Sequence, residues 1–201
     1  HAALEARAVR TVPGLGAKRE ENIARAVQRL GLGGKERRTP VAQALRLAED
    51  VTDALGALPG VARAEAMGSL RRFRETVGDI DVVVAAAGEA EAVMSRFTTM
   101  PMVSEVLAYG PRKSAIVSSS GMQVDLRVVE PEQYGSAALY FTGSKAHNIR
   151  LRQLAMERGW TLSEYGLAET GTGRVIASGT EEEVYAALGL PWIPPELRED
   201  D

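Results

Sequence analysis

Residues Gly68–Val84 read GSLRRFRETVGDIDVVV, and this stretch decides the fold. Its second half alternates acidic with aliphatic residues, as a strand does when one of its faces is buried. Asp79 and Asp81 then project from one side of the strand, with Cα atoms roughly 7 Å apart. Because neighbouring carboxylates repel each other unless a cation lies between them, the pattern favours a divalent metal site. The residues expected to point into the core are Ile80, Val82 and Val84.

A second stretch, Met122–Val129 (MQVDLRVV), carries a third carboxylate in the same kind of alternation. The alternation places Gln123, Asp125 and Arg127 on the polar face of the predicted strand. If this strand pairs beside the first, three aspartates converge. Such a cluster can hold two Mg²⁺ ions, which clamp the attacking and leaving oxygens of a phosphoryl transfer.

The turn at Gly68-Ser69 is suited to phosphate binding. A Gly-Ser turn that opens a short helix presents backbone N–H groups and the positive end of the helix dipole to a triphosphate. Cationic donors follow it at Arg71, Arg72 and Arg74. Taken alone, an arginine-rich loop or an Asp-x-Asp strand end is better explained as a solvated ion-pair cluster. The occurrence of these elements in this order, with a third aspartate on a matching strand, favours catalysis.

The stretch GSLRRFRETVGDIDVVV resembles the signature of the nucleotidyltransferase superfamily in its family X DNA polymerase form, in which Gly-Ser-x-Arg-Arg-Gly is followed by Gly-Asp-x-Asp. The sequence departs from that pattern at Phe73, where many members have glycine. The resemblance implies that Asp125 also activates a primer 3′-hydroxyl. The residues it implies for the triphosphate are Gly68, Ser69 and Arg72, and those for two Mg²⁺ or Mn²⁺ ions are Asp79, Asp81 and Asp125.

A second motif, Leu139–Ser144 (LYFTGS), is followed by Asn148 and Arg152, which share one face of the predicted helix. The aromatic pair before a glycine offers a flat surface to a nucleoside, although such a pair on its own is better explained as packing at a domain junction. The stretch Tyr134–Tyr165 resembles the thumb of polymerase beta and its relatives over its whole length.

That resemblance implies contacts with the incoming sugar by Tyr140, Phe141 and Gly143. It implies that Asn148 contacts the incoming base and that Arg152 contacts the template strand. Two further departures are Gln123, where polymerase beta has an arginine, and Lys145, which replaces an acidic residue.

Near the start of the chain, Val12–Ala26 (VPGLGAKREENIARA) resembles a helix-hairpin-helix element. Backbone amides of such a hairpin grip DNA phosphates without reading sequence, and basic side chains add to the attraction. Taken alone, a Gly-x-Gly between helices is more often an ordinary turn. The resemblance implies a monovalent cation at this hairpin, and the DNA contacts predicted for the whole chain are Gly14, Gly16, Lys18, Arg127 and Arg152.

Composition limits the chemistry of this 201-residue chain. The sequence has no cysteine, which excludes disulfides, thiol nucleophiles and cysteine-ligated metals. Its two histidines, His1 and His147, are far apart, so a bound metal must be a hard cation held by carboxylates. No apolar run exceeds the six residues Val82–Ala87, so the sequence predicts no membrane-spanning segment.

The net charge of −3 hides a gradient along the sequence. Residues 7–38 carry nine Arg or Lys and three Glu, which gives +6. Residues 181–201 carry seven acids and one Arg, which gives −6. We expect the acidic terminal segment to lie away from the DNA path, so the net charge does not exclude a nucleic-acid partner.

The predicted fold class is α+β. Residues 1–58 are expected to form helical fingers with the hairpin element, residues 59–130 a nucleotidyltransferase palm with a mixed β-sheet, and residues 131–201 an α+β thumb. Helical periodicity is clearest from Val41 to Leu58, while Lys35–Pro40 (KERRTP) is predicted to be a loop. Further strands are predicted at 103–107, 114–117, 160–162 and 174–176, and further helices at 89–97, 134–141, 144–157 and 181–188.

The resemblance implies a DNA-directed DNA polymerase that fills gaps in DNA repair, with gapped or primer-template DNA and a deoxynucleoside triphosphate (dNTP) as partners. Two alternatives stay open: another nucleotidyltransferase that tails RNA or adenylylates a small molecule, and an inactive DNA-binding scaffold. We expect a monomeric, cytoplasmic, nucleoid-associated bacterial protein. The sequence is also expected to be a polymerase core without the lyase domain of the family, and its ending resembles the bacterial junction before a nuclease domain.

Overall fold

The computed structural model describes residues 8–12, 14–30 and 38–199, and the side chains of residues 25–30 are outside this description. The structure divides into two units. The described part of the first unit ends at Leu30 and the second unit begins at Arg38. Among the described residues, no helix is both long and apolar enough to cross a membrane.

The first unit contains a 3₁₀ turn at Val9–Thr11 and helix α1 at Ala17–Leu30. Between them Gly14 has a φ of 85°, a conformation that glycine adopts without steric cost. The turn is tied to the helix by Arg10, whose backbone N–H and side-chain Nε both donate to the buried Glu20 at 2.7 Å. A helix after a glycine turn is therefore confirmed, while Pro13 of the predicted hairpin lies outside the described residues.

The second unit is built on a five-stranded mixed sheet. Its strands are β2 (Val61–Ala66), β4 (Asp79–Ala86), β5 (Val103–Tyr109), β6 (Lys113–Ser118) and β7 (Gln123–Val129). The strand order is β2-β4-β7-β6-β5, in which β4 and β7 run parallel and the other neighbouring pairs are antiparallel. A separate two-stranded ladder joins β1 (Thr39–Pro40) to β3 (Thr76–Val77), so the end of the predicted loop is a short strand.

Two helices cover one face of the large sheet, α2 (Val41–Gly56) and α4 (Ala90–Thr98). The core on this face contains all three aliphatic residues of β4 that the alternation predicted. Helix α2 buries Ala44, Ala48, Val51 and Leu55, which lie three or four residues apart as the helical period requires. The predicted boundary at residues 58 and 59 stays a prediction, although α2 packs on the sheet of the predicted palm.

The opposite face of the sheet is covered by α5 (Tyr134–Thr142), whose Ala137 and Ala138 pack against Val83 of β4. The small helix α3 (Gly68–Arg71) lies between β2 and β3 in the chain. Residues after α5 form α6 (Lys145–Glu157), a three-stranded sheet and α7 (Glu181–Ala187). That sheet consists of β8 (Trp160–Ser163), β9 (Gly166–Glu169) and β10 (Val175–Ala177).

Helix α5 is held against the loop before α7 at backbone contact distance. The N–H groups of Gly135 and Ser136 donate to the carbonyls of Gly179 and Ser178 at 3.0 Å. A Cβ added at Gly135 would lie 2.2 Å from backbone atoms of Thr180, so this position accepts only glycine. The predicted α+β class is confirmed, and β2, β3 and β9 are strands for which the sequence pattern gave no range.

Candidate active site

The parallel pairing of β4 with β7 places the predicted carboxylates beside each other. Asp81 is the register partner of Asp125, and Asp79 is the partner of Gln123. Neighbouring strands lie about 4.8 Å apart, so Asp81 and Asp125 face each other across one ladder step. The sheet therefore brings the three aspartates together on one polar face, as the alternation predicted.

The surroundings of Asp81 perturb its carboxyl group strongly. Burial, and after it the negative charges of Asp79 and Asp125, raise the pKa of Asp81 to about 7. Arg72 and Lys113 oppose this rise. A cation near the three carboxylates would stabilise their ionised forms, and this donor set of hard oxygens fits Mg²⁺ or Mn²⁺.

Among the described residues, no three Asp, Glu or His side chains are arranged as a formed metal-binding group. This result is compatible with the repulsion at Asp81. The repulsion depends on how close the three residues lie, whereas a formed metal-binding group also requires their oxygens to point at one position. The strand register sets where the Cα atoms lie, whereas the carboxylate oxygens still turn about the side-chain bonds. The strand register groups the three carboxylates, and the residues present fit a divalent cation.

Gln123 is a neutral partner of Asp125. Its side-chain amide donates to Asp125 Oδ2 at 2.7 Å, which leaves the second carboxylate oxygen for other partners. Gln123 thus orients the carboxylate without adding positive charge. Both side chains line a cavity of about 350 Å³ whose other walls are Asp81, Val82, Lys113, Leu126, Arg127 and Phe141.

Gly68 lies directly against Asp81. Its φ is 64°, and a Cβ at this position would be 2.5 Å from Asp81 Oδ2. The N–H of Met67 also donates to the carbonyl of Asp81 at 2.7 Å. The predicted phosphate turn and the predicted metal ligands are therefore in contact, and glycine is the residue that permits this approach.

The phosphate turn borders a second cavity, of about 700 Å³. Phe73, the departure from the family pattern, has a φ of 55°, so it adopts the conformation that glycine would favour, and its side chain is exposed. The loop shape is thus kept at some steric cost. The residues that line this cavity are Arg38, Ser69, Arg72, Phe73, Arg74, Glu75, Thr76, Glu196 and Glu199.

The two adjacent arginines of this turn have different partners. Arg71 binds Glu181 through both terminal nitrogens, at 2.8 and 2.9 Å, and donates to Thr142 Oγ1 at 2.6 Å. Arg72 donates through Nε to Glu199 at 2.7 Å and through Nη1 to the carbonyl of Thr142. Both arginines therefore connect the phosphate turn to the end of α5, where the Leu139–Ser144 motif lies.

Glu181 is the centre of a buried ion-pair cluster with Arg71 and Arg198. Arg198 is fully buried and donates to Glu181 Oε1 at 2.7 Å, and Trp192 Nε1 donates to Oε2 at 3.3 Å. Burial alone would raise the pKa of Glu181, but the hydrogen bonds from the two arginines outweigh it and lower the pKa to about 2. These contacts favour an ion-pair role for Arg71 over a role in phosphate binding.

The aromatic motif meets the aspartate cavity through Phe141. The Tyr140 and Phe141 rings are in edge contact, with centroids 5.2 Å apart, and the Arg127 guanidinium lies 5.3 Å from the Phe141 centroid. Gly143 has a φ of 70°, and a Cβ there would lie 3.2 Å from Arg72 Nη1. These predicted residues are brought to one side of the sheet.

The predicted base and template contacts, Asn148 and Arg152, do not line that cavity. Asn148 donates to the carbonyl of Tyr140 at 2.6 Å, and its buried Oδ1 has no hydrogen-bond partner among the described residues. Arg152 is exposed one helical turn later and donates to the carbonyl of Asn148 at 3.4 Å. In the first unit Gly14, Gly16 and Lys18 are exposed.

Three residues near the site were missed from the sequence. Lys113 precedes the strand that was predicted from Ser114 onward. The register of β6 pairs it with Arg127, and it lines the same cavity as Asp125. Glu181 and Glu199 belong to the acidic terminal segment that was expected to lie away from the DNA path. Both contact the arginines of the phosphate turn. The prediction that the acidic terminal segment lies away from the site therefore does not hold for these two residues.

A family model and two curated relatives match this chain. A family model of the DNA polymerase beta thumb matches residues 137–199. The chain is 40% identical over 200 residues to the DNA polymerase/3′-5′ exonuclease PolX of Bacillus subtilis (strain 168), covering 98% of this chain and 34% of that protein. It is 29% identical over 164 residues to rat (Rattus norvegicus) DNA polymerase lambda, covering 67% of this chain and 28% of that protein.

A solved structure shares the fold. The ternary P/T complex of Leishmania infantum polymerase beta superposes with a TM-score of 0.76 at 20% identity, covering 98% of this chain and 87% of that chain. The chain spans about a third of the length of the curated relatives it matches.

Proposed function

Since this chain belongs to the family X DNA polymerases, we propose that it adds deoxynucleotides to a primer 3′-hydroxyl and fills short gaps during DNA repair. The observation that carries the proposal is the contact between the phosphate turn and the carboxylates. Gly68 lies against Asp81, and Asp81 lies opposite Asp125. A triphosphate on the turn would thus have its α-phosphorus beside the carboxylate face.

In the proposed reaction the primer 3′-oxygen attacks the α-phosphorus of a dNTP. The bond from that phosphorus to the bridging oxygen breaks and pyrophosphate leaves. Asp125, oriented by Gln123, accepts the proton of the hydroxyl. Asp79, Asp81 and Asp125 would hold two Mg²⁺ or Mn²⁺ ions, which when bound neutralise charge on the phosphates and favour the ionised hydroxyl.

The cationic and aromatic residues would position the two substrates. Ser69 and Arg72 line the larger cavity and would hold the triphosphate, while Tyr140, Phe141 and Gly143 would contact the sugar. Asn148 would contact the incoming base. The residues proposed to contact DNA are Arg127, Arg152, Gly14, Gly16 and Lys18.

We also propose a division into fingers, palm and thumb at residues 58/59 and 130/131, a monomeric state and association with the nucleoid. A monovalent cation at the hairpin is also proposed.

The test is extension of a primer across a single-nucleotide gap in Mg²⁺ and in Mn²⁺, with each deoxy- and ribonucleotide. Asp125→Asn should reduce the extension rate at least about 10³-fold, because the proton acceptor and a metal ligand are lost. Asp53→Asn, which changes an exposed aspartate on α2, serves as the matched control. The two variants should unfold at midpoints close to that of the wild type.

Undiminished extension by Asp125→Asn would contradict the role of Asp125. Tailing of RNA by the wild type, without extension of gapped DNA, would instead support another nucleotidyltransferase. Absence of both activities would support the inactive DNA-binding scaffold.

A further inference from the structure

We propose that Glu199 is a built-in competitor of the nucleotide, and that its carboxylate must leave Arg72 when a triphosphate binds. This inference rests on the proposed function, since it assigns the larger cavity to the triphosphate. Glu199 would then set nucleotide affinity.

The contact that carries the inference joins Arg72 Nε to Glu199 Oε1 at 2.7 Å. Arg74 Nε lies 3.8 Å from the same oxygen, so the carboxylate sits between two cationic side chains. All three residues line the cavity that Ser69 also borders. A carboxylate and a phosphate use the same guanidinium donors, so Glu199 occupies a position that suits a phosphate oxygen.

The donors of Arg72 are divided between two partners. Nη1 binds the carbonyl of Thr142, which ties the guanidinium to the end of α5, and Nε binds Glu199. The arginine side chain is 13% exposed and that of Glu199 is 24% exposed, so water screens their attraction only in part. A phosphate beside an engaged Glu199 would face a like charge at close range, which favours exchange of one anion for the other.

The backbone that carries Glu199 is anchored on its preceding residue. Arg198 is fully buried, its Nε donates to the carbonyl of Ile193 at 2.9 Å, and its own carbonyl accepts from the N–H of Ser144 at 3.0 Å. Glu181 neutralises its guanidinium. Rotation of the Glu199 side chain can therefore release Arg72 while the anchored residue stays in place.

Phosphate can bind Arg72 only while Glu199 is disengaged. The apparent affinity for phosphates is therefore the intrinsic affinity multiplied by the fraction of time that Glu199 is disengaged. Ion pairs with this degree of exposure have modest strength, so removal of the carboxylate should tighten phosphate binding about three- to tenfold. The gain should shrink as the ionic strength rises.

The test is calorimetric titration with inorganic tripolyphosphate in EDTA, so that neither metal binding nor catalysis enters the result. Glu199→Gln should bind about three- to tenfold tighter than the wild type. Glu196→Gln removes the same charge from the same cavity and segment, and should change the affinity by less than about twofold. The double variant Glu199→Gln with Arg72→Gln should lose the gain, because the freed arginine is its source.

Equal tightening in Glu199→Gln and Glu196→Gln would overturn the proposal in favour of a general charge effect. Unchanged or weaker binding by Glu199→Gln would also overturn it, since Glu199 would then support the position of Arg72. Binding by neither the wild type nor Glu199→Gln would overturn the phosphate cavity itself. Primer extension by the wild type, measured separately, reports on the proposed function and distinguishes its failure from these outcomes.

Discussion

Asp81 and Glu181 are carboxylates in the same unit, yet their surroundings change their pKa values in opposite directions. Asp81 faces two other aspartates, and its pKa is raised to about 7. Glu181 lies between two arginines, and its pKa is lowered to about 2. The fold neutralises the charge of Glu181 with its own side chains, whereas it gathers negative charge around Asp81. A carboxylate with its own arginine partners, such as Glu181, stabilises the fold. A carboxylate among like charges, such as Asp81, suits a cationic ligand.

The largest expected effect is on stability and tests the Glu181 half of this comparison. Glu181→Gln should lower the free energy of unfolding by about 3–5 kcal/mol, because the buried charge of Arg198 loses its counterion. Urea denaturation at pH 7 measures the change. Glu182→Gln, at the exposed neighbouring residue, is the matched control and should cost less than about 1 kcal/mol. Similar losses in both variants would show that the buried cluster is not the source.

A pH series should separate the charge of Glu181 from its packing. Its pKa is lower in the folded protein, so its stabilising contribution is complete above the unfolded value of 4.5 and is lost as the pH falls toward 2. The stability difference between the wild type and Glu181→Gln should therefore shrink by about 2 kcal/mol between pH 5 and pH 3. A difference that stays constant over this range would contradict a charge-based contribution.

The smallest expected effect has the opposite sign and concerns Asp81. In EDTA at pH 8, Asp81→Asn should raise the free energy of unfolding by about 1–2 kcal/mol, because it removes repulsion within a partly buried group of like charges. Added Mg²⁺ should raise the unfolding midpoint of the wild type but not that of the variant. Asp53→Asn serves as the control, and a loss of stability in Asp81→Asn would break the comparison.

Much of the sheet could be predicted because its signal is local. Alternation in β4 and β7 identified the residues buried under α2 and α4, and the parallel register then brought Asp81 opposite Asp125. It did not identify Val83 and Ala85, which lie on the other face of β4 and are buried with α5. The same local logic identified the buried face of α2. A period of two or of 3.6 residues reports which face of an element is apolar, and those faces were confirmed.

The contacts of the arginines could not be predicted in the same way. Arg71 meets Glu181 110 residues later in the chain, and Arg72 meets Glu199 127 residues later. No periodicity connects such distant positions, and the acidic composition of the terminal segment favoured a solvated role instead. The position of Lys113 depended on a strand register that composition does not encode. The assignments of site residues to substrates stay predictions.

The backbone contact at Gly135 limits how the aromatic motif can evolve. Helix α5, which carries Tyr140 and Phe141, rests on the loop at Thr180 with no room for even a methyl group between them. Any larger residue at Gly135 would displace the whole helix or the loop. A survey of random substitutions should therefore find intolerance at this glycine, although it is not one of the residues that line the two cavities.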